Sequence, residues 1–98
     1  MTINKYSEGA KLTLAISGRL DTNSSPMLET ELRQSVNGVT ELVFDFSKVE
    51  YISSAGLRVL LAAQKVMNRQ GSMKLIGVSA EVMEVFEITG FADILTIE

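Results

Sequence analysis

Two adjacent serines, Ser53 and Ser54, stand directly before a long apolar run in Tyr51-Ile52-Ser53-Ser54-Ala55-Gly56-Leu57, and no other residues of the chain are so well placed for chemistry. A serine hydroxyl attacks only when a base activates it, and this chain has no histidine and no cysteine. Thiol nucleophiles, imidazole bases, disulfides and Cys/His zinc sites are excluded together. The chemistry left to these hydroxyls is to be modified rather than to attack. Ser54 reads as the N-cap of the helix that follows, its oxygen accepting from an amide two or three residues on. The same free amides and the positive end of the helix dipole accommodate a phosphate. A phosphate on Ser54 adds about −1.5 to −2 charge without unfolding the helix, so its effect falls on whatever docks there.

The residues around the serines extend the candidate surface. Gly56 sits inside the helix, where glycine costs about 1 kcal/mol relative to alanine, so either tight packing or close approach of a partner must require it. Arg58 lies one turn beyond Ser54 and shares its face. Asp21, with Thr22, Asn23, Ser24 and Ser25, forms a hydroxyl-rich acidic stretch just past a strand. If that strand runs parallel to the one before Ser53, Asp21 comes to lie near Ser54. Asp45 is the other candidate acid, but two aspartates so far apart in sequence are weak ground for a metal site or an acid–base pair, and neither metal nor catalysis is expected. No P-loop or glycine-rich phosphate cradle is present, so no nucleotide cofactor is expected either.

The elements that must position these residues follow from periodicity. Thr2 to Tyr6 and Lys11 to Ser17 flank a turn-like Ser7-Glu8-Gly9-Ala10; Leu12, Leu14 and Ile16 alternate with polar or small residues, which predicts a β-hairpin with one buried face. Ser25 followed by Pro26 predicts a helix start, Leu28, Leu32 and Val36 its buried stripe, and Asn37-Gly38 its stop. A strand is expected over Glu41 to Phe46, a loop over Ser47 to Ser53, and a helix from about Ala55 to Arg69 ended by Gly71. Its polar stripe is narrow, Arg58, Ala62, Lys65 and Arg69, so the rest should be buried. A strand over Met73 to Val78, an Ser79-capped helix over Ala80 to Ile88 and a last strand over Ile94 to Ile97 complete the pattern. Successive strand–helix–strand units imply right-handed crossovers and a sheet that is parallel apart from its N-terminal hairpin strand. In such sheets functional loops follow the C-terminal ends of strands, which is where Asp21 and Ser54 fall.

Composition narrows the function classes. With 98 residues, 46% of them hydrophobic, the chain is expected to form a single domain, residues 1–98, with a modest core. A net charge of −3 argues against nucleic acid as a partner. The charge is segregated: residues 48–74 carry a net +4, and residues 81–98 carry five acids and no base. The N-terminus alternates rather than running apolar, and no apolar stretch reaches the ~18 residues of a membrane span, so a soluble cytoplasmic chain is expected.

With these residues in view, the chain resembles the anti-sigma factor antagonists of the STAS family, named for sulfate transporters and anti-sigma factor antagonists. The resemblance covers almost the whole chain: the strand ending Gly18-Arg19-Leu20-Asp21, Val43-Phe44-Asp45-Phe46-Ser47, the signature Ile52-Ser53-Ser54-Ala55-Gly56-Leu57, the Gly71 turn, and Phe86-Glu87-Ile88-Thr89-Gly90-Phe91. It implies an α/β fold with a four- to five-stranded, mixed but largely parallel sheet and about three helices packed mainly on one side. It also implies a non-enzymatic, partner-switching role, in a monomer or weak dimer. The unmodified protein binds an anti-sigma factor that is also a serine kinase, phosphorylation breaks the complex, and a serine phosphatase resets it. Matched by position, the phosphoacceptor is Ser54, and Asp21 is the acid of the neighbouring loop. Where the best-known members carry Asp directly before the acceptor, this chain has Ser53, which becomes a second candidate. The partner surface is then expected to comprise Asp21, Thr22, Asn23, Ser24, Ser53, Gly56 and Arg58.

Two other readings compete. The same fold can serve as a non-phosphorylated adaptor in a sensory or transport assembly. A receiver-like domain phosphorylated on Asp45 would need clustered acids at an earlier strand end to hold magnesium, and the first strand ends without an acid pair.

Overall fold

A computed structural model describes residues 1–98. The chain runs β1 (Thr2–Glu8), β2 (Lys11–Leu20), α1 (Ser25–Ser35), β3 (Glu41–Ile52), α2 (Ser54–Gln70), β4 (Ser72–Ile76), α3 (Ala80–Thr89) and a final 3-10 turn, Phe91–Asp93. One four-stranded sheet has the order β1-β2-β3-β4. β1 is antiparallel to β2, and the other pairs are parallel, as the crossover argument requires.

Register explains why the core lies on one face. Leu12 pairs with Leu42 and Leu42 with Met73; Leu14 pairs with Phe44 and Phe44 with Leu75. These apolar rows point the same way, and all of them are buried. Leu28 and Leu32 of α1, Leu57, Leu60 and Met67 of α2, and Val82 and Phe86 of α3 close over them in a single apolar cluster. Phe46 sits at its centre, edge-on to Phe44 with ring centroids 6.1 Å apart and 6.4 Å from Phe86. The opposite face carries Thr13, Val43 and Lys74 in one row and Ala15, Asp45 and Ile76 in the next. Lys5 ties the edge strand β1 to α1 through Glu31, 3.4 Å away.

The structure corrects the sequence reading at several boundaries. β3 does not stop at Phe46 but continues to Ile52 through two register shifts against β2. Its buried positions on the core face, Leu42, Phe44, Phe46, Val49 and Ile52, change spacing from two to three, because each shift inserts one extra residue, and this breaks the alternation that marks a strand. The segment expected as a loop is therefore strand, and Asp45 lies mid-strand rather than near an end. β4 ends at Ile76 rather than Val78. The expected fifth strand is reduced to one parallel bridge, Leu75 with Ile97, where the Leu75 amide donates to Thr96 and the Glu98 amide donates to Leu75, each at 2.9 Å.

The starts of α1 and α2 each shift by one serine, while α3 is capped by Ser79 as expected. The α2 cap is Ser53, whose oxygen accepts from the Gly56 amide at 3.4 Å, and Ser54 is the first helical residue. Ser53 still has extended backbone, φ −101° and ψ 175°, because its amide is tied to the Leu20 carbonyl of the neighbouring strand at 2.9 Å. Extended geometry is what an N-cap requires. At α1 the cap position falls on Ser24, without a side-chain capping bond, and Ser25 is helical.

Candidate functional site

The parallel pairing of β2 and β3 runs to Arg19 with Tyr51 and Leu20 with Ile52, so both chains leave the sheet side by side. One continues into the Asp21–Ser24 loop, the other into Ser53, Ser54 and α2. The Ser53 amide donating to the Leu20 carbonyl stitches the two exits together. Expecting Asp21 and the serines at one strand end was correct.

The β2–α1 loop is bound tightly by its own polar groups. The Asp21 carboxylate accepts from the Asn23 and Ser24 amides, both at 3.0 Å, and from the Ser24 hydroxyl at 3.1 Å. That single hydroxyl hydrogen is shared with the Arg19 carbonyl oxygen, 2.6 Å away, and the hydroxyl oxygen accepts from the Asp21 amide at 2.9 Å. Ser25 is buried, and its hydroxyl donates to the Asp21 carbonyl at 2.6 Å. The Ser24 amide, then its hydroxyl, hold the Asp21 carboxyl below its ordinary value of 3.8; desolvation opposes them in part, and the Asn23 amide and the Arg19 charge add smaller effects in the lowering direction. A carboxylate so stabilised is a poor base. It fixes the loop and places a negative charge at the strand exit.

Arg19 and Tyr51, which the sequence reading did not single out, belong to this surface. The guanidinium lies 4.2 Å from the Tyr51 ring centroid, and its Nε lies 3.7 Å from the Asp21 carboxylate. Their pairing is a matter of register, the first pair after the shift between Gly18 and Arg19, so it had no signature in either strand alone. Tyr51 remains 41% exposed and Met27, on α1, 46% exposed. An arginine stacked on an exposed tyrosine is the kind of rigid, desolvatable group on which protein interfaces concentrate binding energy.

Between the α1 start and the α2 start opens a cleft of mixed polarity of about 340 Å³, with Thr22, Ser25, Pro26 and Glu29 on one side and Ala55, Arg58 and Val59 on the other. Asp21, Asn23 and Ser24 line a second, shallower depression beside Arg19 and Met27. Ser54 is exposed at the first position of α2, while Ser53 is half-buried and holds the cap. Gly56, expected in the contact surface, is buried instead. A Cβ there would lie 2.8 Å from the Ile52 side chain, 2.9 Å from that of Leu20 and 3.0 Å from the Leu20 carbonyl oxygen. Tight packing, rather than approach of a partner, accounts for this glycine.

Asp45 stands apart from this site. Its carboxylate accepts from the Ser47 amide at 2.9 Å, and the residues opposite it in register are Ala15 and Ile76, neither of them acidic. That environment is not the acid cluster a receiver-like magnesium site requires. The arrangement as a whole presents a hydroxyl, a fixed carboxylate and a stacked arginine on a rigid edge. No helix of the protein is long and apolar enough to cross a membrane.

Comparison with known proteins agrees with this architecture. The model of the STAS domain matches residues 2–98. A putative anti-sigma factor antagonist, BtrV of Bordetella bronchiseptica, is 39% identical over 88 residues, covering 88% of this chain and 76% of that protein. The anti-sigma-B factor antagonist of Bacillus subtilis is 34% identical over 83 residues, covering 84% of this chain and 76% of the relative. Among solved structures, the Bacillus cell fate determinant SpoIIAA in its phosphorylated form superposes with a TM-score of 0.77 at 15% identity, over 99% of this chain and 91% of the other.

Proposed function

The chain belongs to the STAS domain family, and on that premise we propose that it acts as an anti-sigma factor antagonist whose binding is switched by phosphorylation of Ser54. Unmodified, it binds an anti-sigma factor that is also a serine kinase. The kinase phosphorylates Ser54 and the complex dissociates; a serine phosphatase restores the hydroxyl. The chain catalyses nothing itself: the kinase brings ATP and the catalytic groups.

The observation that carries this reading is the division of labour between the two serines. Ser53 accepts the capping bond from Gly56, so the helix start is secured without Ser54. Ser54 is exposed, at the first position of α2, where free amides and the helix dipole favour a phosphate. Modification at that point leaves the fold intact and changes the charge of the surface shared with the Asp21 loop. The partner then meets about two added negative charges beside an already ionised carboxylate. Arg19 with Tyr51, Thr22, Asn23 and Arg58 supply the remainder of the contact surface.

The test is incubation of the chain with its serine kinase and ATP, followed by phosphosite mapping. Label is expected on Ser54 and absent from Ser54→Ala. Label confined to residues other than Ser53 and Ser54, or unchanged in Ser54→Ala, overturns the reading.

A further inference from the structure

The segregated charges of this chain meet within the fold at one ion pair, Lys74 with Glu98 at 3.4 Å, and the helical charges of the two blocks stay apart. Five ion pairs join its side chains, and none includes Arg58, Lys65 or Arg69 on α2, or Glu81, Glu84 or Glu87 on α3. All six of these residues are exposed. Glu87 also lies in the last turn of α3, which has no basic residue to offset the negative end of the helix dipole.

Each charged stripe accompanies an apolar feature. Between α1 and α2 runs a mainly apolar groove of about 220 Å³ lined by Leu32, Val36, Val59, Ala62, Ala63 and Val66, with the mutually paired Glu29 and Arg33 on its α1 wall. Ala62 also belongs to the exposed stripe of α2 that carries Arg58, Lys65 and Arg69. On α3, Ile88 projects into solvent, 78% exposed, the most exposed of the large apolar side chains. The spacings agree when the two helices run antiparallel. From Ala62 to Arg69, and from Ile88 back to Glu81, the rise is about 10.5 Å in each case, and Lys65 and Glu84 fall between at about 4.5 and 6 Å.

We propose that the α1–α2 groove receives α3 of a second copy of this chain, with Ile88 entering the groove over Ala62 and with Glu84 and Glu81 facing Lys65 and Arg69. The contact is head-to-tail, so each copy keeps one free groove and one free α3. It is small, with exposed ion pairs, and therefore weak and salt-dependent. The groove adjoins the cleft below Ser54, with which it shares Glu29 and Val59. The inference itself rests on the charge and shape of the chain, not on the partner-switching reading.

Sedimentation velocity over a concentration series up to about 1 mM tests it, in about 50 mM and about 500 mM salt. The weight-average sedimentation coefficient should rise with concentration in low salt and much less in high salt. Ile88→Asp should abolish the rise, and the charge reversals Glu81→Lys/Glu84→Lys and Lys65→Glu/Arg69→Glu should each weaken association by about fivefold or more. Mixing the two charge-reversed proteins should restore it, since each then offers the other a complementary surface. All these sites are exposed, so circular dichroism should show native folding in every variant. A monomer throughout the low-salt series, association unaffected by Ile88→Asp, or failure of the mixture to associate overturns the proposal.

Discussion

Leu20 fills the space that a side chain on Gly56 would need: a Cβ at Gly56 would stand 2.9 Å from Leu20 Cγ and 3.0 Å from its carbonyl oxygen, the atom that also accepts the Ser53 amide. The same residue therefore fixes both the cap of α2 and how closely the helix approaches the sheet. Gly56→Ala would gain about 1 kcal/mol in helix propensity. The clash lies against backbone and packed side chains, and overpacking of this kind costs about 1–3 kcal/mol. The expected result is net destabilisation in urea unfolding, with partial recovery in the Leu20→Ala/Gly56→Ala double variant relative to Leu20→Ala. A stabilised Gly56→Ala would show that the helix can lift without cost.

The two serines should separate by measurement. Ser53→Ala removes a capping acceptor and should cost about 0.5–1 kcal/mol of stability, at the lower end because the bond to Gly56 is long at 3.4 Å. Ser54→Ala should leave stability unchanged while removing the proposed phosphoacceptor. Ser54→Asp should weaken kinase binding and stay within about 1 kcal/mol of the native chain, since an acid suits the first turn of a helix. Chemical denaturation of the three variants checks the order; a larger loss for Ser54→Ala than for Ser53→Ala would reverse the assignment of the cap.

Much of this architecture was legible in the sequence wherever periodicity was regular. Leu12, Leu14 and Ile16 marked β2, and Arg58, Ala62, Lys65 and Arg69 are all exposed on an otherwise largely covered helix, as their spacing required. The second half of β3 was not legible, because its extra residues put the inward side chains at Phe46, Val49 and Ile52, a spacing of three that no strand template contains. The cap was misplaced for the same reason: without a strand reaching Ile52, nothing indicated that Ser53 is held extended by Leu20. Asp21 could be placed beside the serines from parallel pairing alone, but the Arg19–Tyr51 stack depends on a register shift and had to be seen.

The Asp21 carboxylate gives the loop a pH dependence of definite sign. Its folded value is lowered chiefly by the Ser24 amide, so its contribution to stability is complete above the unfolded value near 3.8 and is lost as pH falls from there through the folded value. Asp21→Asn carries no such charge and lacks that contribution. The stability difference between native chain and Asp21→Asn should be constant from about pH 7 to about pH 5 and shrink as pH drops below 3.8. Glu31, lowered mainly by the Ser35 hydroxyl and then by Lys5, titrates in both proteins and cancels in the comparison. A difference that stays flat through that range would show that the carboxylate is not selectively stabilised by the fold.

Gly71 separates steric from conformational reasons for a glycine. Its φ of 173° is extended backbone open to any residue, yet a Cβ there would fall 1.9 Å from the Thr40 carbonyl oxygen. That oxygen accepts the Ser72 amide at 2.9 Å, which ties the start of β4 to the residue before β3, while the Gly71 amide closes the end of α2 on Met67 at 2.8 Å. Gly38 is the contrasting case, with φ of +81° and no atom within 4 Å of where its Cβ would be. Asparagine tolerates the left-handed region and should restore much of the stability lost in Gly38→Ala, about 1 kcal/mol. At Gly71 neither alanine nor asparagine can avoid the Thr40 carbonyl, so both should cost about 3 kcal/mol by thermal or urea unfolding. Rescue of Gly71 by asparagine would mean that backbone conformation, not the contact with Thr40, demands the glycine.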